Sequence, residues 1–512
     1  MRLSPLRAAL VSFALLAPFG SVAYAQPASP APAAQTPAAP APASPAAPEP
    51  NNFKPGKSAP AAPGAAPAAP STSPAPTAPA PAKPAPAPTN TLDESSGSQD
   101  AGKPRSAAEI YSDLDLFGEV FDRIRQQYVD VVDERKLIHA ALDGMLSSLD
   151  PHSGYLDDTS YKAMQQDTSG EFGGLGIEVQ MQDGVIKVIS PIDGSPAAKA
   201  GVLPNDLIVQ LDGVQVQGMT LDDAVKKMRG PVGSKITISV QRQNVKDLIK
   251  LTLTRDIIAE QAVHWKLDGD VAVIRLDKFS EQAAPGIQKA VDDIWSKRNG
   301  QPPKGIVLDI RNNPGGLVDQ AVDVASDFIR QGAVVLTRSR IEAESARYDA
   351  KPTETTSKLD GVPVVVLING GSASAAEILA GALQDHKRAT LVGTRSFGKG
   401  TVQSIIPLGD DNGAMRMTTA RYYTPNNRSI QAAGIQPDIV IKETVPADLQ
   451  GKVDLVGEAA LPGQIGGGTQ PQATTGSSVY VAPDEKKDDQ LQYAIKLIDG
   501  SVTDPAYPPK AD

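Results

Sequence analysis

Residues 26–90 are mostly proline and alanine. Such a stretch cannot bury enough apolar surface to offset the entropy of ordering it. It reads as a disordered, partly polyproline tether, reaching about 3.1 Å per residue when extended. Any packed core must therefore lie downstream, from near Ser106 onward. Ahead of the tether, Arg2 and Arg7 flank the start of an apolar run over 8–19, and Ala23-Tyr24-Ala25 reads as a small-residue cleavage site. That is the pattern of a secretory signal peptide over 1–25. The run is shorter than the roughly 20 residues a membrane span needs. Export to a periplasm or cell surface is expected, the alternative being a chain tethered by an uncleaved N-terminus.

The formal net charge of -10 argues against a nucleic-acid binder, which would present a basic face. The chain has no cysteine, so disulfides, thiolate zinc sites and a cysteine nucleophile are all removed. No metal site and no cofactor are expected.

Past the tether (26–104), Ile110, Leu114, Phe117, Phe121, Ile124 and Tyr128 recur at helical spacing. Asp133 can cap a second helix, which Asp150-Pro151 stops. This helical arm (105–168) reads as a docking or dimerisation element, with a plain packing unit as the alternative. Over 169–257 the pattern changes to short strands between Gly, Asp and Asn turns, interrupted by two short helices, which suits a small half-open barrel. Over 258–445 strands alternate with helices, implying a mainly parallel sheet with helical cover. The remaining 446–512 is weakly patterned and partly disordered in expectation, with a helix near 488–499.

The chemistry concentrates in two strings. Asn369-Gly370-Gly371-Ser372-Ala373-Ser374 joins a buried-type strand (364–368) to a helix from Ala375. Its small residues let the chain bend sharply, and a serine at a helix start feels the positive end of the dipole. Ser374, next to the helix, is the better nucleophile, and Ser372 the alternative cap. The bland reading of both is capping. A serine needs a base. His386 lies at the far end of the same helix, and His139, His152 and His264 belong to other segments. Lys399, in Ser396-Phe397-Gly398-Lys399-Gly400, is the better candidate if an apolar site lowers its pKa; otherwise it is a solvated loop lysine. Gln403 can orient the amine through its amide oxygen. Free amides of Gly315 and Gly316, in a Gly-Gly turn, can form an oxyanion site with that of Ala375. Ser396 and Lys399 also match the Ser-x-x-Lys string of penicillin-binding enzymes, but the companion Ser-Asp-Asn and Lys-Thr-Gly strings are absent.

In the barrel, Gly173, Gly174, Leu175, Gly176 and Ile177 form a loop able to hold a terminal carboxylate on consecutive amides. Leu221, Val225 and Met228, at helical spacing, can line a pocket for an apolar terminal side chain, or simply be core.

These strings, with Leu149-Asp150-Pro151-His152-Ser153, Arg229-Gly230 and Arg311-Asn312-Asn313-Pro314-Gly315-Gly316, stand in the order found in the carboxyl-terminal processing (tail-specific) proteases, which the chain resembles over 116–438. The resemblance implies a multidomain α+β protein: an N-terminal helical arm, a PDZ half-open barrel, and an α/β protease core like the ClpP/crotonase spiral. It implies a Ser374 nucleophile, a Lys399 base and Gln403 as its partner. It also implies a PDZ domain that captures substrate C-termini and gates the site, with Arg229 as a signal-transmitting residue at the PDZ–core boundary. Implied partners are proteins with exposed apolar C-termini, an adaptor protein, and further copies of the chain bound through the helical arm. The competing class is a catalytically idle PDZ peptide-binding scaffold.

Overall fold

The computed structural model describes residues 105–509, except 193, 410, 467–471, 473 and 474. The expected signal peptide and the whole of the tether lie outside the described residues.

The arm opens on Ser106, which caps the helix Ala107–Gln127. Its hydroxyl accepts from the Glu109 amide while the Glu109 carboxylate reaches back to the Ser106 N–H. No residue of this helix is buried. Asp133 caps the helix Glu134–Ser147, as the sequence predicts. A third helix, Asp158–Ser169, ends at Gly170 with φ 65, a left-handed turn that suits glycine.

The barrel follows. Its antiparallel sheet takes Ile177–Gln182, Val185–Pro191, Leu207–Leu211, Lys235–Gln241 and Ile249–Thr254 in that spatial order. The helices Pro196–Lys199 and Leu221–Met228 close it over a core that includes Ile186, Ile208, Ile236, Ile238 and Val240. The chain enters through Glu171–Gly174 and leaves through Asp256–Ala259. These two pair antiparallel as a separate two-stranded ribbon at the base of the barrel, the barrel hinge by its position.

The α/β core is built on a six-stranded sheet. Val263–Asp268 pairs antiparallel with Val271–Leu276; Gly305–Asp309, Val364–Ile368, Thr390–Gly393 and Ile439–Val440 then follow in parallel. Strand side chains alternate between the two faces, and both faces are covered. On one, Ile274, Leu308 and Val366 pack under the helices Ala283–Lys297, Val318–Phe328 and Ala375–Asp385. On the other, Val273, Val307 and Val365 pack under the helix Asp489–Asp499 through Leu491, Ala494, Ile495 and Ile498. The expected helix near 488–499 is thus present, but it belongs to the core rather than to an appendage. A second sheet joins Gly154–Leu156, Ala414–Tyr423, Ala333–Ser339 and Ala346–Asp349, with Thr401–Pro407 also paired to Ala414–Tyr423.

Candidate active site

The strand Val364–Ile368 is buried throughout and points the loop 369–374 at the start of the helix Ala375–Asp385. Ser374 caps that helix with φ 54 and ψ -114. An L-residue pays about 1–3 kcal/mol to sit in such a region. The surroundings hold it there. The Ser372 hydroxyl donates to the Ile310 carbonyl (2.8 Å), and the Ala373 N–H donates to the Asn313 carbonyl (2.9 Å). Asn369 and Asn312 exchange amide hydrogen bonds of 2.9 Å. Ser372 is therefore a loop anchor and Ser374 the cap.

One residue that sequence reasoning missed ties the site together. Glu377, fully buried at the third position of the helix, accepts from the N–H groups of Ser374 (2.9 Å), Gly398 (2.7 Å) and Lys399 (2.9 Å) and from the Ser396 hydroxyl. The amides of Ser374 and Lys399 meet on the same carboxylate oxygen. Burial nevertheless pushes this carboxyl up to about 7, outweighing its hydrogen bonds. An acid three residues past a serine cap was the available signal, but it announces only a capping box. Ser396 donates to Glu377 and accepts from the Ile435 N–H (2.7 Å) while buried. It is a structural hydroxyl, so the Ser-x-x-Lys reading does not stand.

Lys399 follows on the approach to the strand Thr401–Pro407. Burial lowers the pKa of its amine below the ordinary lysine value, outweighing the opposing pull of Glu458, Glu377 and Asp150; Arg416 also lowers it. Among the described residues its amine forms no hydrogen bond or ion pair, with Ser374 or any other group. Gln403 does not reach it either: its amide nitrogen donates to the hydroxyls of Thr401 (3.0 Å) and Thr418 (3.2 Å). Thr418 in turn donates to Asp150 (3.1 Å). No hydrogen bond joins any of the four histidines to Ser374: His386 meets the Ala333 carbonyl, His152 meets Glu458, His264 meets Asp277, and His139 meets Tyr155.

The expected oxyanion amides divide. The Gly315 N–H is already donated to the Asn313 side chain (2.9 Å), so it is corrected to a spacer. A Cβ there would lie 2.8 Å from Ser374 Cβ and 2.9 Å from the Ala375 nitrogen, which only glycine avoids. The amides of Gly316 and Ala375 have no acceptor among the described residues. They remain available for a developing negative charge.

In the barrel, a cavity of about 110 Å³ is lined by Gly174, Leu175, Gly176, Ile177, Val225 and Met228 of the residues singled out there from sequence. Phe172, Ile192 and Ile258 also line it, and Gly173 and Leu221 do not. Gly173 instead packs against the Gly230 carbonyl, where a Cβ would approach to 2.1 Å. Leu221 begins the helix and stands away from the cavity. The amides of Leu175 and Gly176 have no acceptor among the described residues, as a carboxylate nest requires. Arg229 does not bridge to the core. Its guanidinium lies 3.9 Å above the Phe172 ring, at the cavity wall.

A strained serine beside two free amides, in an α/β core joined to a small barrel with a cavity, is the arrangement of a hydrolase of the serine-protease class. Residues 270–441 match peptidase family S41, residues 187–242 the PDZ domain, and residues 86–160 the activating protease CtpB N-terminal domain. The chain is 50% identical over 399 residues to a carboxy-terminal-processing protease of Bartonella bacilliformis, covering 78% of this chain and 91% of that one. It is 34% identical over 395 residues to the carboxy-terminal processing protease CtpA of Bacillus subtilis, covering 77% and 80%. Among solved structures, a photosystem II D1 C-terminal processing protease aligns at 30% identity with a TM-score of 0.37, over 66% of this chain and 96% of that one. The chain belongs to the carboxy-terminal-processing proteases of peptidase family S41.

Proposed function

We propose that this serine protease cuts protein tails with a Ser374–Lys399 dyad, after the PDZ domain has captured an apolar C-terminus. The observation that carries the reading is the lysine: it is half-buried, its pKa is lowered by desolvation, and among the described residues no carboxylate pairs with it to keep it charged. A neutral amine takes the Ser374 proton as the hydroxyl oxygen attacks the scissile carbonyl. The amides of Gly316 and Ala375 receive the negative charge on the carbonyl oxygen. The ammonium then returns its proton to the departing amine, and water releases the acyl group by the same route. Glu377 is a positioning residue that sets both loops from one carboxylate.

The lack of a hydrogen bond between the amine and Ser374 fits a dyad completed only when the PDZ domain is occupied. By the same reading, Gln403 turns from its threonine partners to the amine on engagement. The signal peptide pattern supports export to a periplasm or cell surface, and the unburied apolar arm supports a homo-oligomer. The decisive experiment is tail cleavage by purified Ser374→Ala and Lys399→Ala variants, with peptide capture measured alongside. Loss of cleavage with capture retained supports the dyad. Residual cleavage by Ser374→Ala moves the nucleophile elsewhere, and wild-type protein that captured tails without cutting them would instead be a scaffold.

A further inference from the structure

Between the strand Val271–Leu276 and the helix Ala283–Lys297 lies a short segment, 278–282, absent from every motif above. Its contacts alternate between two places. Lys278, with a side chain 21% exposed, forms ion pairs with Asp167 (2.8 Å) in the last arm helix and with Glu260 (2.6 Å) just past the outgoing hinge strand. The Glu281 N–H donates to the Thr168 carbonyl (3.0 Å), and the Gln282 amide donates to the Ser169 carbonyl and the Glu171 carboxylate (both 3.4 Å). Ser280 is buried against Gly170, where a Cβ would approach its hydroxyl to 2.7 Å. These four residues grip the base of the barrel hinge.

Phe279 faces the other way. It is 1% exposed, and its backbone runs parallel to the oxyanion turn. Its N–H donates to the Gly315 carbonyl (2.9 Å), and its carbonyl accepts from the Leu317 N–H (2.8 Å). Both bonds flank Gly316, whose amide is one of the two free donors beside Ser374. A Cβ on Gly316 would lie 2.3 Å from the Phe279 carbonyl oxygen, so the fit is backbone against backbone. A backbone pairing of this kind cannot let Phe279 shift without moving the Gly316 peptide plane with it.

We propose that 278–282 is a strap coupling the barrel hinge to the oxyanion amides, with Lys278 the positioning residue that clasps the hinge from both sides. This rests on the reading that the PDZ domain gates the site, and it adds the route by which a hinge movement reaches the chemistry. The clasp sets the aim of the Gly316 amide, so its loss weakens transition-state stabilisation rather than tail capture.

The test is Lys278→Met in the full chain, which keeps the aliphatic stem and removes the charge. On fluorescein-labelled casein, kcat should fall about tenfold with KM within about twofold of wild type. Labelling of Ser374 by a fluorophosphonate, whose phosphoryl oxygen occupies the oxyanion site, should slow by a similar factor. Lys278→Arg should restore most of both rates. Wild-type kcat and labelling in a folded Lys278→Met protein would overturn the proposal, and so would a change confined to KM. If that variant fails to fold, the partner past the outgoing hinge strand, more exposed than Lys278 itself, carries the test: Glu260→Gln should show the same fall, and wild-type rates there would overturn the proposal. Val225→Glu in the PDZ cavity separates this result from the gating reading. If Val225→Glu stops casein cleavage while Lys278→Met matches wild type, gating stands and the strap is wrong; if neither variant changes cleavage, both are wrong.

Discussion

Ser374 is held where an L-residue rarely sits, and Lys399 where a cation is poorly solvated. Each fact predicts a rate. Ser374→Ala should abolish turnover and leave peptide capture at its wild-type affinity. Lys399→Ala should slow cleavage on the order of a thousandfold, the usual worth of a general base. The pH profile carries the sign. On the proposed dyad the lysine works as base only when neutral, so kcat/KM should rise with pH and level off at an inflection below 10.5, the ordinary lysine value, because burial lowers this amine. Glu377 adds to the acid side: burial pushes its carboxyl up to about 7, and protonation weakens its hold on the Ser374, Gly398 and Lys399 amides. An inflection at or above 10.5 in a pH–rate series would count against the lysine. The strained turn at Ser374 was legible because small residues, a strand end and a helix start all lie within one short string. Glu377 was not, since its partners at 396–399 come from a distant stretch that no local pattern connects to it. The loss of Gly315 as a donor was equally hidden, because it depends on how the Asn313 side chain turns.

A second residue-scale effect concerns stability alone. Asp327 is fully buried in the helix Val318–Phe328, with one oxygen accepting from Thr353 (2.6 Å) and Gln288 (3.2 Å) and the other without a partner among the described residues. Burial pushes its carboxyl from 3.8 up to about 6. A raised folded pKa means that stability is greatest below about 4, declines as pH rises through about 6, and stays low above it, a loss of about 3 kcal/mol. Asp327→Asn keeps the acceptor and removes the charge. Its melting temperature should exceed wild type at pH 8 and converge with it at pH 4, and parallel curves across that range would refute the assignment.

At the scale of elements, the helix Asp489–Asp499 holds the active-site loop from behind. Its cap, Asp488, accepts two hydrogen bonds from the buried guanidinium of Arg311 (2.9 and 2.7 Å), which also binds Asp309 and Gln490. Arg311 begins the turn that leads to Gly316. Removing one partner of a buried ion pair strands the other charge and costs about 3–5 kcal/mol. Asp488→Ala should lose stability on that scale in denaturant unfolding, and a loss below about 1 kcal/mol would mean that Asp309 suffices. The core strands and helices read correctly from sequence because continuous apolar runs of strand length alternate with helical spacing. The second sheet was less legible. Ala414–Tyr423 is only part-buried along most of its length and includes Arg416, Thr418, Thr419 and Arg421, so no apolar signal marks it. The C-terminal helix was foreseen as a helix, but its apolar face gives no hint that the far side of the sheet needs it.

At the scale of the whole molecule, the arm is the element whose packing is unfinished. A helix of 21 residues with none fully buried gains little tertiary stabilisation from its apolar side chains, and packing of such a face supplies most helical stability in proteins. Yet Ile110, Leu114, Phe117 and Val120 are each about half exposed, and Tyr111 and Leu116 more so. Residues 110, 114 and 117 follow helical spacing, so they form a stripe rather than scattered contacts. Exposed apolar surface of this extent on a capped helix is what the proposed homo-oligomer would cover. A second copy meets the stripe most simply, since a two-fold axis lets one face serve both sides. The double variant Leu114→Glu and Phe117→Glu should then run as a monomer in light scattering where the wild-type chain runs as an oligomer. Its secondary structure should persist by circular dichroism, because neither residue is buried within the described chain. A wild-type protein already monomeric at tens of micromolar would refute the self-association, and an oligomer that survived both glutamates would place the interface elsewhere.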